Sequence, residues 1–253
     1  MALDSARYTR DALFARAREL VPLLRQRAQA TSAARRVPPE TIAALWDAEL
    51  FYLLKPKSFG GPEVRFDVTF SLASELARGD GSAAWVWAVM SVHDLFLALY
   101  PEEAQREYWA EDHTLSASSF APNGKIEPVT GGCRLSGKWS FCSGVDHAPW
   151  MILAAFAGMV STDPAIPDIR YLLVPKRDIT VIDDWHVMGL QGTGSSSVAV
   201  EGVFVPEHRM VRGVDLANGT APGTAVHDGP ACGVKALIGS SYGAITHDKR
   251  LKS

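Results

Sequence analysis

Up to about residue 112, apolar positions recur at the three-and-four spacing of helices. Leu13, Phe14, Ala17, Leu20, Val21 and Leu24 mark a first helix. A second follows Pro38-Pro39, where a missing N–H is harmless, with Ile42, Leu45, Trp46 and Leu50 on one face. The string FGGP, Phe59 to Pro62, breaks the chain. A third helix then presents Phe66, Phe70, Ala73 and Ala77. After the turn RGDGS, the longest apolar run extends from Ala83 to Tyr100. Pro101 to Trp109 reads as a short helix, with Pro first and acids in the opening turn.

Beyond Asp112 the period changes. Short runs such as HTLSASSF, CRLSGKWSF, MILAAFA, IRYLLVP, ITVID and SVAVEGVFV are separated by Gly, Pro, Asn and Asp. That texture predicts a β-module, a small barrel or sandwich. The fold class expected is α+β: a helical domain over 1–112, a β domain over 113–212, and an irregular Gly- and Ala-rich tail over 213–253.

Composition narrows the function classes. The chain of 253 residues is 47% hydrophobic and 21% charged, ordinary for a soluble globular protein. With 25 Lys and Arg against 28 acids, its net charge of -3 offers no electrostatic reason for a nucleic-acid partner. Arginines crowd the N-terminus, but Asp4, Asp11 and Glu19 among them argue against a transit peptide. His93 and Asp94 inside the apolar run argue for a buried core helix over a membrane span. Cys133, Cys142 and Cys232 have no paired spacing, and with no signal peptide a reduced, cytoplasmic setting is expected. No Gly-rich nucleotide motif and no metal-ligand spacing is present. Redox chemistry would therefore need a cofactor held outside a Rossmann unit.

Four stretches could carry chemistry. In GKWSFCSGVDHAPW, Gly137 to Trp150, strand alternation would put Trp139, Phe141 and Ser143 on one face, either backing a planar ring or filling a barrel core. In SASSFAPNG, Ser118 and Phe120 precede a Pro-Asn-Gly turn that could grip a heterocycle or simply end a solvated strand. His93 fits a buried histidine satisfied by a carbonyl, or a group that polarises a substrate hydroxyl. Trp85, eight residues earlier, shares nearly the same helix face. The Gly-rich WHVMGLQGTGSSSVAVEGVFVPEHRMV, Trp185 to Val211, is the most specific string of the four.

The ordered strings LSASSFAPNG, LSGKWSFCSG and MGLQGTGSSSVAVEGVFVP, behind a helical N-terminal region, resemble the acyl-CoA dehydrogenase superfamily. GKWSFCSGVDHAPW and SVHDLFLALYPEEAQREYW point to its flavin-dependent monooxygenase branch, the oxygenase components of two-component aromatic hydroxylases. The resemblance spans about residues 10–215. It implies reduced FMN or FAD from a separate flavin reductase, and a small phenolic substrate hydroxylated with O2 through a flavin C4a-hydroperoxide. Phe141 would line the isoalloxazine, Ser143 would bond near its N5, and Ser118, Phe120 and Asn123 would follow the flavin edge. Trp85 and His93 would surround the substrate, His93 favouring the phenolate. Full-length relatives of this kind are homotetramers closed by a C-terminal four-helix bundle.

This chain departs from that pattern in two ways. Phe141-Cys142-Ser143 stands where true dehydrogenases usually show aromatic–Ile–Thr. Past HDGP, His227 to Pro230, the tail loses family pattern and apolar periodicity, and no C-terminal bundle is expected. An acyl-CoA dehydrogenase-like FAD oxidoreductase and an inactive, truncated remnant are the alternative expectations.

Overall fold

The computed structural model describes residues 4–227. Five helices form the N-terminal region: α1 (Arg10–Ala34), α2 (Pro39–Asp47), α3 (Phe66–Ala77), α4 (Gly81–Leu97) and α5 (Glu102–Tyr108). Thr9 caps α1 by accepting from the Ala12 N–H. Asp80 caps α4, its carboxylate accepting from the N–H groups of Ser82 (3.0 Å) and Ala83 (3.4 Å). Leu13, Ala17, Val21 and Leu24 form the buried stripe of α1, as their spacing predicts.

Helix α3 turns a different face inward from the one expected. Thr69, Leu72 and Leu76 are buried, whereas Phe70 is 69% exposed. Both stripes are apolar, so periodicity alone does not choose between them. Helix α4 is buried on most sides, with Val86, Trp87, Met90, His93 and Leu97 all enclosed. Trp87 donates its indole N–H to the Leu50 carbonyl at 3.0 Å. No helix among the described residues is long and apolar enough to cross a membrane.

Seven strands follow: β1 (Ser116–Val129), β2 (Gly132–Trp139), β3 (Trp150–Thr162), β4 (Ala165–Pro175), β5 (Thr180–Ile182), β6 (Ser197–Pro206) and β7 (Met210–Arg212). They make one mixed sheet in the order β5-β6-β2-β1-β3-β4-β7, with β1 and β3 parallel and the other neighbours antiparallel. The sheet curls like a barrel wall: Cys133 Sγ of β2 lies 3.6 Å from Met210 Sδ of β7, although β1, β3 and β4 separate them in the order.

The expected Pro-Asn-Gly turn is instead a bulge inside β1. Asn123 and Gly124 both oppose Ala155 of β3, the two-against-one count of a β-bulge. Only glycine fits at 124, because a Cβ there would stand 2.6 Å from Trp139 Cζ2 and 2.7 Å from Ala155 Cβ.

Alternation along β3 serves two cores. Met151, Leu153 and Ala155 join Leu13, Trp87, Met90 and Trp139 on one face. Ile152 and Ala154 join Leu97, Tyr100, Tyr108 and Leu216 on the other. Burial on both faces is why MILAAFA reads as a continuous apolar run.

The stretch from Gly213, expected to be irregular, opens with a short helix α6 (Gly213–Asn218) whose Leu216 enters the second core. His227 Nε2 then meets Gln105 Oε1 at 2.7 Å and its Nδ1 meets Ser58 Oγ at 2.8 Å. Gln105 donates both amide protons to the carbonyls of Ala98 and Tyr100, so its oxygen accepts from the imidazole. The expectations for 228–253, Cys232 included, lie outside the described residues. Among the described residues there is no C-terminal helical bundle.

Candidate functional site

Helix α4 packs across the start of β1, and this seam holds His93. Its Nδ1 lies 2.8 Å from the Ser116 carbonyl, which can only accept, so Nδ1 carries the proton. Its Nε2, 2.9 Å from Ser118 Oγ, therefore accepts from that hydroxyl. Burial pushes the imidazole pKa down to about 4, the Ser116 bond opposing it, and the ring is neutral. Phe120 turns its ring edge-on to His93 at 6.3 Å and packs against Phe96 (5.1 Å) and Tyr171 (5.5 Å). Half-exposed, Phe120 is the open side of this aromatic cluster.

Two helical turns earlier on α4, roughly 12 Å along the axis, Trp85 is half-exposed. Its indole Nε1 donates to Ser143 Oγ at 3.1 Å. Ser143 belongs to the loop after β2, which is paired with the Gly-rich loop before β6. The Cys142 N–H donates to the Ser196 carbonyl (3.2 Å), and the Gly144 N–H to the Thr193 carbonyl (2.9 Å). That pairing brings Ser143 Oγ to 2.7 Å from Ser195 Oγ, which is 2.7 Å from Thr193 Oγ1. Thr193 donates to the Leu190 carbonyl at 3.0 Å. Gly192 seats this loop on the helices, since a Cβ there would stand 2.3 Å from Thr31 Cγ2 of α1 and 3.0 Å from Ser82 Cβ of α4.

The predicted common face of Trp139, Phe141 and Ser143 does not form. Strand β2 ends at Trp139, which is fully buried and donates its indole N–H to the Ala154 carbonyl at 2.7 Å. Phe141 follows in the left-handed region at φ 63°, 72% exposed, with Trp185 edge-on at 5.9 Å. Strand alternation stops because the chain turns toward the Gly-rich loop. Core aromatic and exposed aromatic are thus separate residues.

Of the candidates, the structure joins Trp85 with Ser143, and His93 with Ser118 and Phe120. Asn123 is exposed in the bulge, five positions beyond Ser118 on β1. Sequence reasoning missed Ser195 and Thr193. Consecutive hydroxyls in GTGSSS were the available signal, but a contact with a residue 52 positions away has no trace in spacing.

Asp94, beside His93, is also buried. Burial raises its carboxyl to about 7, against the lowering influence of the Trp109 N–H at 3.2 Å and of Lys55. Cys133 and Cys142 are buried free thiols, and burial next to Asp184 lifts Cys142 to about 12, so neither has nucleophile character.

Comparison with known proteins assigns the frame. The family model of the acyl-CoA dehydrogenase N-terminal domain matches residues 9–114. The flavin-dependent monooxygenase oxygenase subunit HsaA of Rhodococcus jostii is 39% identical over 212 residues, 83% of this chain and 55% of that protein. The chain belongs to the acyl-CoA dehydrogenase superfamily. Within that superfamily, its relatives are oxygenase components. The FADH2-dependent resorcinol hydroxylase oxygenase component of a Rhizobium strain is 39% identical over 83% of this chain and 51% of its own length. The crystal structure of 3-HSA hydroxylase from Rhodococcus sp. RHA1 superposes with a TM-score of 0.82 at 36% identity, covering 88% of this chain and 58% of that one. The chain thus spans about half the length of the curated relatives it matches. The α+β acyl-CoA dehydrogenase-like fold expected from the sequence is the fold observed.

Proposed function

We propose that this chain carries the flavin-facing and substrate-facing part of the oxygenase component of a two-component aromatic hydroxylase. It would take reduced FMN or FAD from a separate flavin reductase and hydroxylate a small phenol with O2. The observation that carries this reading is the joining of Trp85 and Ser143 beside the exposed Phe141, in a chain 39% identical to two such oxygenase components.

The residues fit a flavin. Phe141 is a large aromatic held outward at a backbone conformation that non-glycine residues rarely adopt, a cost that persists where a site uses it. Two residues on, Ser143 Oγ supplies a polar edge. Phe141 would cover the ring and Ser143 would hold its edge near N5, with Trp85, a substrate neighbour by the family resemblance, bonded to that same hydroxyl. Reduced flavin, when bound, supplies the electrons that let O2 deliver one oxygen atom to the substrate ring.

At the other end of the site, Phe120 and Ser118, which the family resemblance puts along the flavin edge, would instead face the phenol, Phe120 against its ring and Ser118 toward its hydroxyl. Ser118 already donates to His93, so it offers that hydroxyl an acceptor. A neutral His93 held at about 4 orients this proton and does not store it. Its role would therefore be to position the phenol, a narrower one than the phenolate formation implied by the family resemblance. Asn123, in the bulge, would serve the outer flavin edge.

The test is an anaerobic titration of the full chain with reduced FMN and reduced FAD, followed by oxygen and resorcinol with product analysis. Binding of reduced flavin and a hydroxylated product support the reading. Tight retention of oxidised FAD with no response to reduced flavin would move the protein to the dehydrogenase side of the superfamily.

A further inference from the structure

The hydroxyls behind Ser143 have a direction. Trp85 Nε1 can only donate and the Leu190 carbonyl can only accept. Between them stand Ser143, Ser195 and Thr193, linked at 3.1, 2.7, 2.7 and 3.0 Å from the indole to the carbonyl. Four hydrogen bonds need four protons, and the indole plus three hydroxyls supply that number. All four bonds are satisfied in one arrangement alone: Trp85 to Ser143, Ser143 to Ser195, Ser195 to Thr193, Thr193 to Leu190.

We infer that Ser195 and Thr193 are positioning residues that turn the Ser143 proton inward, so that Ser143 presents a lone pair to the flavin and the site prefers the reduced form. The inference rests on the flavin reading of Ser143 given above. Reduced flavin carries a hydrogen on N5 and matches an acceptor. Oxidised flavin has a bare N5 and needs a donor. For Ser143 to donate, the relay must lose one bond: either Ser143 lets go of Ser195, or Ser195 and Thr193 both reverse and the Thr193 bond to Leu190 is lost. The Leu190 carbonyl keeps the Thr193 N–H at 3.1 Å and the Trp185 indole at 3.4 Å, so the penalty is that of one hydrogen bond. Ser195 and Thr193 are themselves buried, which leaves no bulk water to mend a reversed relay.

The experiment measures dissociation constants of oxidised and reduced FMN, under argon, for the full chain and three variants. In Ser195→Ala the Ser143 proton is released and can serve either form. In Thr193→Val the relay loses its anchor and reverses at no cost. Both variants should lower the ratio of oxidised to reduced dissociation constants by about three- to tenfold, the worth of one hydrogen bond. Thr193→Ser keeps the hydroxyl and should keep the ratio. Thermal melts check that each variant folds, and each variant bears on the inference separately. An unchanged ratio in Ser195→Ala, with reduced FMN still bound, overturns the directional relay and leaves the flavin reading standing. Failure of the parent chain to bind either form overturns the flavin reading, and the relay's role with it.

Discussion

His93 Nε2 accepts from Ser118 Oγ across 2.9 Å, and the bond has this direction because His93 Nδ1 is committed to the Ser116 carbonyl at 2.8 Å. The pair joins helix α4 to strand β1. Ser118→Ala would leave a buried ring nitrogen without a partner. It should cost about 1–3 kcal/mol of stability by urea denaturation, whereas Ser118→Thr, which keeps the hydroxyl, should cost less. Equal loss in both variants would make the site one of tight packing alone.

Asp94 should make the protein less stable as pH rises. Its folded pKa of about 7 lies above the ordinary 3.8, so its contribution is intact below the ordinary value and is lost as pH climbs through about 7. His93 slopes the other way: its folded value of about 4 lies below 6.5, so its contribution is present above 6.5 and lost as pH falls toward 4. The two partly cancel across that window. Asp94→Asn keeps an oxygen for the Trp109 N–H and removes one slope. The variant should be more stable than the parent at pH 8, by on the order of 2–4 kcal/mol, with the gain shrinking to little at pH 4. Melting temperatures across that range check both signs.

Phe141 separates stability from binding. It is largely exposed and held at φ 63°, so Phe141→Gly should relieve backbone strain of about 1 kcal/mol, less the entropy a glycine adds to the unfolded chain. Reduced-flavin affinity should fall in the same variant. A variant that binds flavin as tightly as the parent would remove Phe141 from the site.

Gly124→Ala tests the bulge. The new methyl would meet Trp139 Cζ2 and Ala155 Cβ well inside contact distance, and Trp139 has no free side to move into. A loss of about 1–3 kcal/mol is expected from overpacking, read as a lower denaturation midpoint with the slope unchanged.

Elements with one apolar face or one apolar run were legible before the structure. Helix α1 shows its stripe, α4 its enclosure, and β3 a run that only a doubly buried strand explains. Legibility stopped where two answers satisfied the same pattern. Helix α3 has two apolar stripes, and the choice between Phe66–Phe70 and Leu72–Leu76 is made by α1 and α4, which no local window contains. Strand alternation past Trp139 failed for a similar reason: backbone bonds to a distant Gly-rich loop pull Cys142 and Gly144 out of the sheet. The candidate site divides the same way. His93 and Trp85 stood out as polar or aromatic marks on one helix. The partnership of Ser143 with Ser195 and Thr193 exists only once two loops meet.

Strand β3 stands in both cores at once, so α1 to α4 on one side, and the end of α4, α5 and the returning segment on the other, share a single backbone element. Fluctuation in either layer reaches the other through Met151, Ile152 and Leu153. Amide hydrogens along that strand should therefore be the slowest in the protein to exchange, and they should exchange in step with loss of the helical layer. The two halves suggested by the change of periodicity would then unfold as one cooperative body.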